Sequence, residues 1–324
     1  MNNGILPTFR GSTAARLFCL VVGALAYLVV PRITTEPFAQ DGHFPRFAAA
    51  FLRGELSLLY ASDPDQNVCE LIPSADGELL YCPYPPLPAI LLMPFVAIFG
   101  PALRIKTASL LAGAVNILLF DLVLARLPAK LGRPPLSPSI RAVLTLFFAL
   151  GSPAWHSAYM GGDWHFAHAL AMGAMLLAVH EFCGKDRPFV IGVFVMLALL
   201  TRPTAALTAV FFVLPLMRRG DFKKTAMLLT PPIAGMALLG AYNYVRFGDA
   251  LDFCYSRMYL NGWGREMMAR YGQFHPHFIP INAFYYFVAP LWTAPKDGFL
   301  GLGYDPLGLS LFVGSPLTVY ALVG

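Results

Sequence analysis

Charge is scarce in this chain, and the scarcity limits what kind of protein it can be. Only 13% of the 324 residues are charged, whereas 57% are hydrophobic and the mean hydropathy is +0.61. An ordinary globular domain has about 25% charged residues. The chain therefore lacks the polar surface of a soluble fold, and its composition predicts an integral membrane protein.

A long basic stretch is missing as well. The formal net charge is +5, but the lysines and arginines stand in short clusters between apolar runs. Such clusters orient membrane-spanning segments, because basic residues favour the cytoplasmic side. We therefore interpret them as topology signals and predict no nucleic-acid partner.

No signal-peptidase site follows the first apolar run, which covers about residues 14–30 and ends at Pro31-Arg32. A cleaved leader would end in small residues, so we interpret this run as an uncleaved anchor. Cysteines are few, five in all, and two of them, Cys69 and Cys82, share one polar loop. If that loop lies outside the cytoplasm, the two cysteines can form a disulfide.

The apolar runs and the basic clusters together predict a topology. Arg10 and Arg16 place the N-terminus in the cytoplasm, so residues 32–84 form a large first outer loop. Residues 85–99 contain four prolines and are predicted to lie in the membrane interface. Further spans are predicted at about 104–127, 142–156, 163–182 and 225–244.

This assignment keeps every basic cluster on one side. The predicted cytoplasmic segments are 126–141, 185–187 and 218–224, and the second large outer loop is 246–280. Residues 189–217 are interrupted at Thr201-Arg202-Pro203-Thr204. Each half is about 12–14 residues, or about 20 Å of helix against about 30 Å of hydrocarbon. We predict a pair of short helices that turn before the outer surface, with Arg202 at a cavity or at the interface.

The predicted fold is all-α, a polytopic transmembrane helical bundle with interfacial helices in the first outer loop. Residues 1–324 form a single module without a soluble domain. Apolar runs at 281–294 and 307–324 close the chain, and no flanking charge follows the last one, so we expect a fragment of a longer protein.

Ionisable residues concentrate in the segments predicted to face outward. They include Asp41 and His43 in the first loop and Asp163 and His165 at the outer start of a span. Transporters usually carry such residues near the middle of the membrane. The distribution therefore favours a site at the outer membrane surface.

Four runs occur in an order that resembles a known group of membrane enzymes. They are Asp41 with the following Ala48-Ala-Ala-Phe-Leu-Arg-Gly54, Tyr84-Pro-Pro-Leu-Pro88 ending at Phe99-Gly100, Leu199-Leu-Thr-Arg-Pro-Thr204, and Asn243-Tyr-Val-Arg-Phe-Gly248 running to Tyr255. The ordered set resembles the GT-C superfamily of polytopic glycosyltransferases, which contains the protein O-mannosyltransferases and the aminoarabinose transferases.

The resemblance implies an inverting glycosyltransferase that uses a polyprenyl-phosphate-linked sugar donor. The acceptor would be a lipid, a glycan or a protein. The active site would face the non-cytoplasmic side, which in a bacterial inner membrane is the periplasm. In this family Asp41 would be the general base that deprotonates the acceptor hydroxyl. The structural alternative is a helix N-cap or a solvated loop acid.

Asp163 is the second candidate catalytic residue, because the segment before it could approach Asp41. A carboxylate at this position also caps a helix and suits its dipole, so the structural alternative stays open. Asp41, Asp163 and His165 could also bind a divalent metal, although no zinc-like spacing is present. No other cofactor is expected.

Candidate substrate-binding residues are Arg202 and Arg246 for the donor phosphate, together with Tyr84 and His165. Arginine suits phosphate because it forms bidentate hydrogen bonds. The alternatives are a snorkelling side chain for Arg202 and an interfacial anchor for Arg246.

Two departures from the family pattern stand out. Many relatives carry two adjacent acids in the first loop and a His or Lys before the proline pair, whereas this chain has Asp41-Gly42 and Tyr84. A second carboxylate must then come from elsewhere. The rival interpretations are a transporter or flippase of a lipid-linked substrate and a noncatalytic membrane scaffold.

Overall fold

The computed structural model describes residues 42–59, 71–73, 78–253, 262–272, 275–290, 292–293, 302–303 and 308–322, together with part of the stretch 14–27. Helices dominate these residues and strands are few. Some predictions fall outside the described residues, namely those on Asp41, on Cys69 and on the start of the predicted first outer loop. The mostly helical fold agrees with the all-α prediction.

The helices are numbered in chain order. They are α1 (His43–Leu52), α2 (Leu87–Phe99), α3 (Ile105–Lys130), α4 (Pro138–Leu150), α5 (Pro153–Met160), α6 (Asp163–Cys183), α7 (Pro188–Leu199), α8 (Ala209–Arg218), α9 (Phe222–Phe247), α10 (Gly262–Tyr271), α11 (Phe278–Phe287) and α12 (Leu311–Gly314). Short 3-10 helices cover Pro203–Thr208 and Pro316–Leu322.

Within the described part of the chain, three helices are long and apolar enough to cross a membrane, namely α3, α6 and α9. Their ends carry ordinary helix signals. Asp221 caps α9 by accepting the backbone N–H of Lys224 at 3.1 Å, and Gly248 ends it in the left-handed conformation. These three helices confirm a membrane protein at the level of helix length and composition.

Helices α3 and α6 run side by side in the same direction. Near their starts, Gly161 packs against the backbone of Lys106 so closely that an added Cβ would lie 2.8 Å from its Cα. At their far ends, Lys130 Nζ lies 2.6 Å from Asp186 Oδ2. We call the end at which α3 and α6 begin the α1 end. The opposite end, formed by the turns at 126–133, 185–187 and 218–224, is the basic end.

Helix α9 runs in the opposite direction. Its beginning lies near the basic end, where a Cβ added to Gly192 of α7 would lie 2.2 Å from the Leu228 carbonyl oxygen. Its last turn reaches the α1 end, where Arg246 binds the carbonyl oxygen of Cys82.

Helices α4 and α5 return along α3 as one bent segment, interrupted at Gly151-Ser152-Pro153. The single span predicted at 142–156 therefore contains a break. A bidentate ion pair joins α4 to α3, with Arg141 Nε and Nη2 each 2.5 Å from a carboxylate oxygen of buried Asp121.

Residues 188–218 form two short helices with the 3-10 helix between them. This arrangement agrees with the prediction for 189–217. Helix α7 has 12 residues, so it is about 18 Å long.

Part of the predicted first outer loop is strand. The strands β1 (Leu58–Leu59), β2 (Ile72–Pro73) and β3 (Leu79–Tyr81) form an antiparallel sheet in the order β1-β3-β2. Strands β4 (Trp292–Thr293) and β5 (Leu302–Gly303) pair farther on. The prediction of helices alone in this loop missed the first sheet.

Helix α2 does not lie wholly across the end of the bundle. The backbone N–H of Leu87 lies 3.4 Å from the carbonyl oxygen of Leu200, at the end of α7. Leu87 and Leu91 also line a cavity together with Leu119 and Leu177. The first turn of α2 therefore enters the bundle, which differs from the purely interfacial helix that its prolines indicated.

Candidate functional site

Asp163 links the start of α6 to the start of α1. Its carboxylate accepts the backbone N–H of His43 at 2.8 Å and that of Phe44 at 3.0 Å, one on each oxygen. These N–H groups have no partner inside their own helix, so a carboxylate there satisfies them and complements the helix dipole. Asp163 is 7% exposed, and the capping that we set against catalysis is therefore present, on α1 rather than on α6.

Gly42 fits closely against this carboxylate. A Cβ added to Gly42 would lie 2.8 Å from side-chain atoms of Ile105 and 2.9 Å from Asp163 Oδ1. Phe44 and Phe47 of α1 are buried in the same cluster as Ile105. The backbone directly after Asp41 is thus held between α3 and α6, although Asp41 itself lies outside the described residues.

Arg202 approaches the same place from the end of α7. Its Nη2 donates a hydrogen bond of 2.7 Å to the Trp164 carbonyl oxygen, and the residue is 8% exposed. The guanidinium carbon lies 4.9 Å from the Trp164 ring and 5.7 Å from the Tyr84 ring. Arg202 also interacts electrostatically with Asp163. A buried cation therefore lies beside a buried carboxylate and between two aromatic rings.

The other predicted side chains of this region are close by. Tyr84 is 2% exposed and its ring lies 5.8 Å from that of Phe44. His165 interacts electrostatically with Arg202, and its ring lies 5.3 Å from that of His156. The structure thus brings Asp163, Arg202, Tyr84 and His165 together at the α1 end.

Arg246 has a different setting. Its guanidinium donates to the Cys82 carbonyl oxygen, to Asn243 Oδ1 at 2.9 Å and to the Tyr242 carbonyl oxygen at 3.3 Å. It also lies 3.6 Å from the centre of the Tyr242 ring. These contacts hold the end of α9 against the segment that follows β3. They favour a structural role over the predicted phosphate contact.

The described residues do not form the predicted metal site. Among them, no group of three His, Cys, Asp or Glu side chains is arranged to hold a metal ion. Both oxygens of Asp163 accept backbone hydrogen bonds. The metal prediction therefore rests on Asp41, outside the described part.

An apolar cavity of about 290 Å³ is lined at one point by Thr201, the residue before Arg202. Helices α2, α3, α6 and α7 form its walls. The polar groups in the wall are already bonded, because Asn116 Nδ2 donates to Ala169 and Thr201 Oγ1 donates to Leu197, both at 2.8 Å. The space is therefore suited to an apolar group.

The cavity faces outward between α2 and α3. Two of its lining residues, Leu91 of α2 and Val115 of α3, are 45% and 53% exposed on the outer surface of the bundle. Because α3 is a candidate span by length and composition, this opening would face hydrocarbon where α3 crosses a membrane. A chain-like apolar group can therefore enter from the side.

Sequence reasoning did not single out several residues that shape this region. From sequence, Trp164 could either stack on a sugar or lie at the membrane interface, with the interface favoured, and Gly42 is only a departure from the family pattern. The carboxylate of Asp121 was not considered, although a single acid in a long apolar run is a recognisable signal. Asn116, a polar residue in the same apolar run, is a similar signal.

Comparison with known proteins does not assign this chain to a family. The chain matches no family model, no curated protein and no solved structure.

Proposed function

We propose that this chain is a multi-pass membrane glycosyltransferase of the GT-C type. It transfers a sugar from a polyprenyl-phosphate donor to an acceptor hydroxyl, with inversion at the anomeric carbon. The observation that carries the proposal is the junction at Thr201 and Arg202. There Thr201 lines an apolar cavity, and the next residue in the chain is the buried Arg202.

The charged part of the junction suits the phosphate of the donor. Arginine presents a fixed fork of N–H donors that matches a phosphate, and it stacks well on aromatic rings. Trp164 and Tyr84 hold the guanidinium of Arg202 between their rings. In a site of low polarity, a single cation contributes more to phosphate binding than it would in water.

The apolar part suits the polyprenyl tail. A tail already in the membrane can enter between Leu91 and Val115 without crossing water. Because Thr201 of the cavity wall directly precedes Arg202 in the chain, one molecule with a phosphate head and a hydrocarbon tail suits both features. A water-soluble nucleotide-sugar donor would leave the cavity unused.

Asp41 supplies the proton acceptor in this proposal. The acceptor hydroxyl attacks the anomeric carbon while Asp41 takes its proton, and the bond from that carbon to the phosphate oxygen breaks. The electron pair of that bond leaves with the polyprenyl phosphate, whose charge Arg202 balances. Gly42 directly follows Asp41 in the chain and packs against Asp163, whose carboxylate holds the start of α1.

Orientation follows from charge. The basic end carries most of the clustered lysines and arginines, so we assign it to the cytoplasm. The α1 end, and with it the site, then faces the non-cytoplasmic side, which in a bacterial inner membrane is the periplasm. The acceptor is a lipid, a glycan or a protein that presents a hydroxyl on that side.

A transfer assay on purified, reconstituted protein tests this proposal. The probes are undecaprenyl-phosphate-linked hexoses and pentoses with a membrane extract as the acceptor source, and the readout is free undecaprenyl phosphate by mass spectrometry. We expect release with at least one donor and no release after Arg202→Gln. Movement of the donor across liposomes without release would instead favour a flippase.

A further inference from the structure

The basic end carries more cations than its own acids can neutralise. The turns at 126–133, 185–187 and 218–224, with adjoining Glu181, contain nine basic and three acidic side chains. Each of the three acids forms an ion pair, as Lys130 pairs with Asp186, Arg187 with Glu181, and Lys224 with Asp221.

Six cations are left, all of them exposed. In the described part of the chain, none of the six forms an ion pair with a carboxylate. They are Arg126, Arg133, Lys185, Arg218, Arg219 and Lys223. They lie in three separate turns, and these turns meet at one end of the bundle. The ring pairs of Phe182 with Phe211 and Phe212, at 5.8 and 5.5 Å, connect α6 to α8 there.

Large apolar side chains stand beside these cations in each turn. Leu131 is 63% exposed, Phe189 48% and Phe222 71%. A soluble polyanion would form no favourable contacts with these apolar side chains. A phospholipid would gain from both, because its acyl chains meet the apolar side chains while its phosphate meets the cations.

From this juxtaposition we infer that the basic end binds anionic phospholipid headgroups, with phosphatidylglycerol as the representative chemistry. A membrane surface of anionic lipids attracts each nearby Lys or Arg by about 1 kcal/mol, and this is about a fivefold preference per residue. The attraction acts at the three turns together and does not depend on sugar transfer.

Competitive lipid retention tests this inference. The full chain is purified in a neutral detergent with equimolar phosphatidylglycerol and phosphatidylcholine, and the retained lipids are counted by native mass spectrometry. We expect the wild type to retain several-fold more phosphatidylglycerol. The double variant Arg218→Gln/Arg219→Gln should lose part of that preference, because it removes two of the six cations.

The matched control is Arg53→Gln/Arg104→Gln, which removes two exposed cations at the α1 end and should keep the preference. Equal retention of the two lipids by the wild type would overturn the inference, and so would an equal loss in both double variants. Glycerol 3-phosphate should not displace the lipid at millimolar concentration. If it does, the surface binds phosphate itself and not a membrane lipid.

Discussion

The carboxylate of Asp163 accepts the backbone N–H of His43 at 2.8 Å and so fixes the first turn of α1 against α6. His43 comes two residues after Asp41, the predicted base. One carboxylate thus holds the chain segment on which the other stands. Their roles can be separated by substitution.

Asp41→Asn should abolish sugar transfer and leave folding and donor binding intact. Asn keeps the shape of the side chain but cannot accept a proton near neutral pH. We expect the turnover number to fall by about 10²–10⁴-fold. The control is Asp249→Asn, at an exposed acid after α9, which should retain full activity. Turnover of Asp41→Asn within a few-fold of wild type would remove this residue from catalysis.

Asp163→Ala should lower stability first and activity as a result. It leaves two buried N–H groups without their acceptor, at a cost of about 1–3 kcal/mol for each unsatisfied group. Thermal unfolding in detergent measures the loss. Asp163→Asn keeps one acceptor oxygen and should recover part of the stability. Asp221→Ala removes an exposed cap and serves as the control with a smaller effect. An unchanged melting temperature for Asp163→Ala would argue for a chemical role instead.

Arg202→Lys should weaken donor binding without unfolding the protein. Lysine keeps the charge but lacks the planar group that lies between Trp164 and Tyr84. We expect KM for the donor to rise by about tenfold, a change of about 1.4 kcal/mol. Arg246→Lys is the matched change, and it should lower the melting temperature while KM stays the same. The reverse pattern would assign the phosphate to Arg246.

Cysteine labelling checks the orientation. In a background without native cysteines, Ala250→Cys should react with a membrane-impermeant maleimide in intact cells. Ser139→Cys should react only after permeabilisation, because it lies in the first turn of α4, within the predicted cytoplasmic segment 126–141. Labelling of Ser139→Cys from outside would mean that residues 85–99 cross the membrane.

Cys69 and Cys82 should form a disulfide in protein isolated without reductant. The ring of about 14 residues would contribute about 3 kcal/mol. Cys82 is buried, and Cys69 lies outside the described residues. Mass analysis after alkylation, with and without prior reduction, counts the bridged thiols. Cys183, near the basic end, is the internal control and should be alkylated without reduction. Labelling of both loop cysteines before reduction would exclude the bridge.

The long helices could be predicted because local hydrophobicity determines them. The run predicted at 163–182 is α6, Asp163–Cys183, and that predicted at 104–127 is α3, Ile105–Lys130. A membrane imposes a minimum length on an apolar helix, so composition alone nearly fixes its bounds. The short pair around Arg202 followed from the same length argument.

Contacts between distant segments could not be predicted in this way. The strands β1 to β3 have two or three residues each, too few to show an alternating pattern. The bonds from Asp163 to α1 join residues about 120 positions apart. The position of Arg246 against Cys82 likewise depends on how α9 meets the first loop. The sequence identifies Asp163 and Arg246 as candidate site residues. It does not show whether each has a structural role or a role in binding and catalysis.

The close fit of Gly42 leaves little room for a second acid directly after Asp41. Any side chain at this position would collide with Ile105, and a carboxylate there would add a second negative charge beside Asp163. In the proposed enzyme, Asp163 at the start of α6 would supply the negative charge that many GT-C enzymes carry next to their base. A variant with two adjacent acids in the first loop would therefore need substitutions at both Gly42 and Asp163.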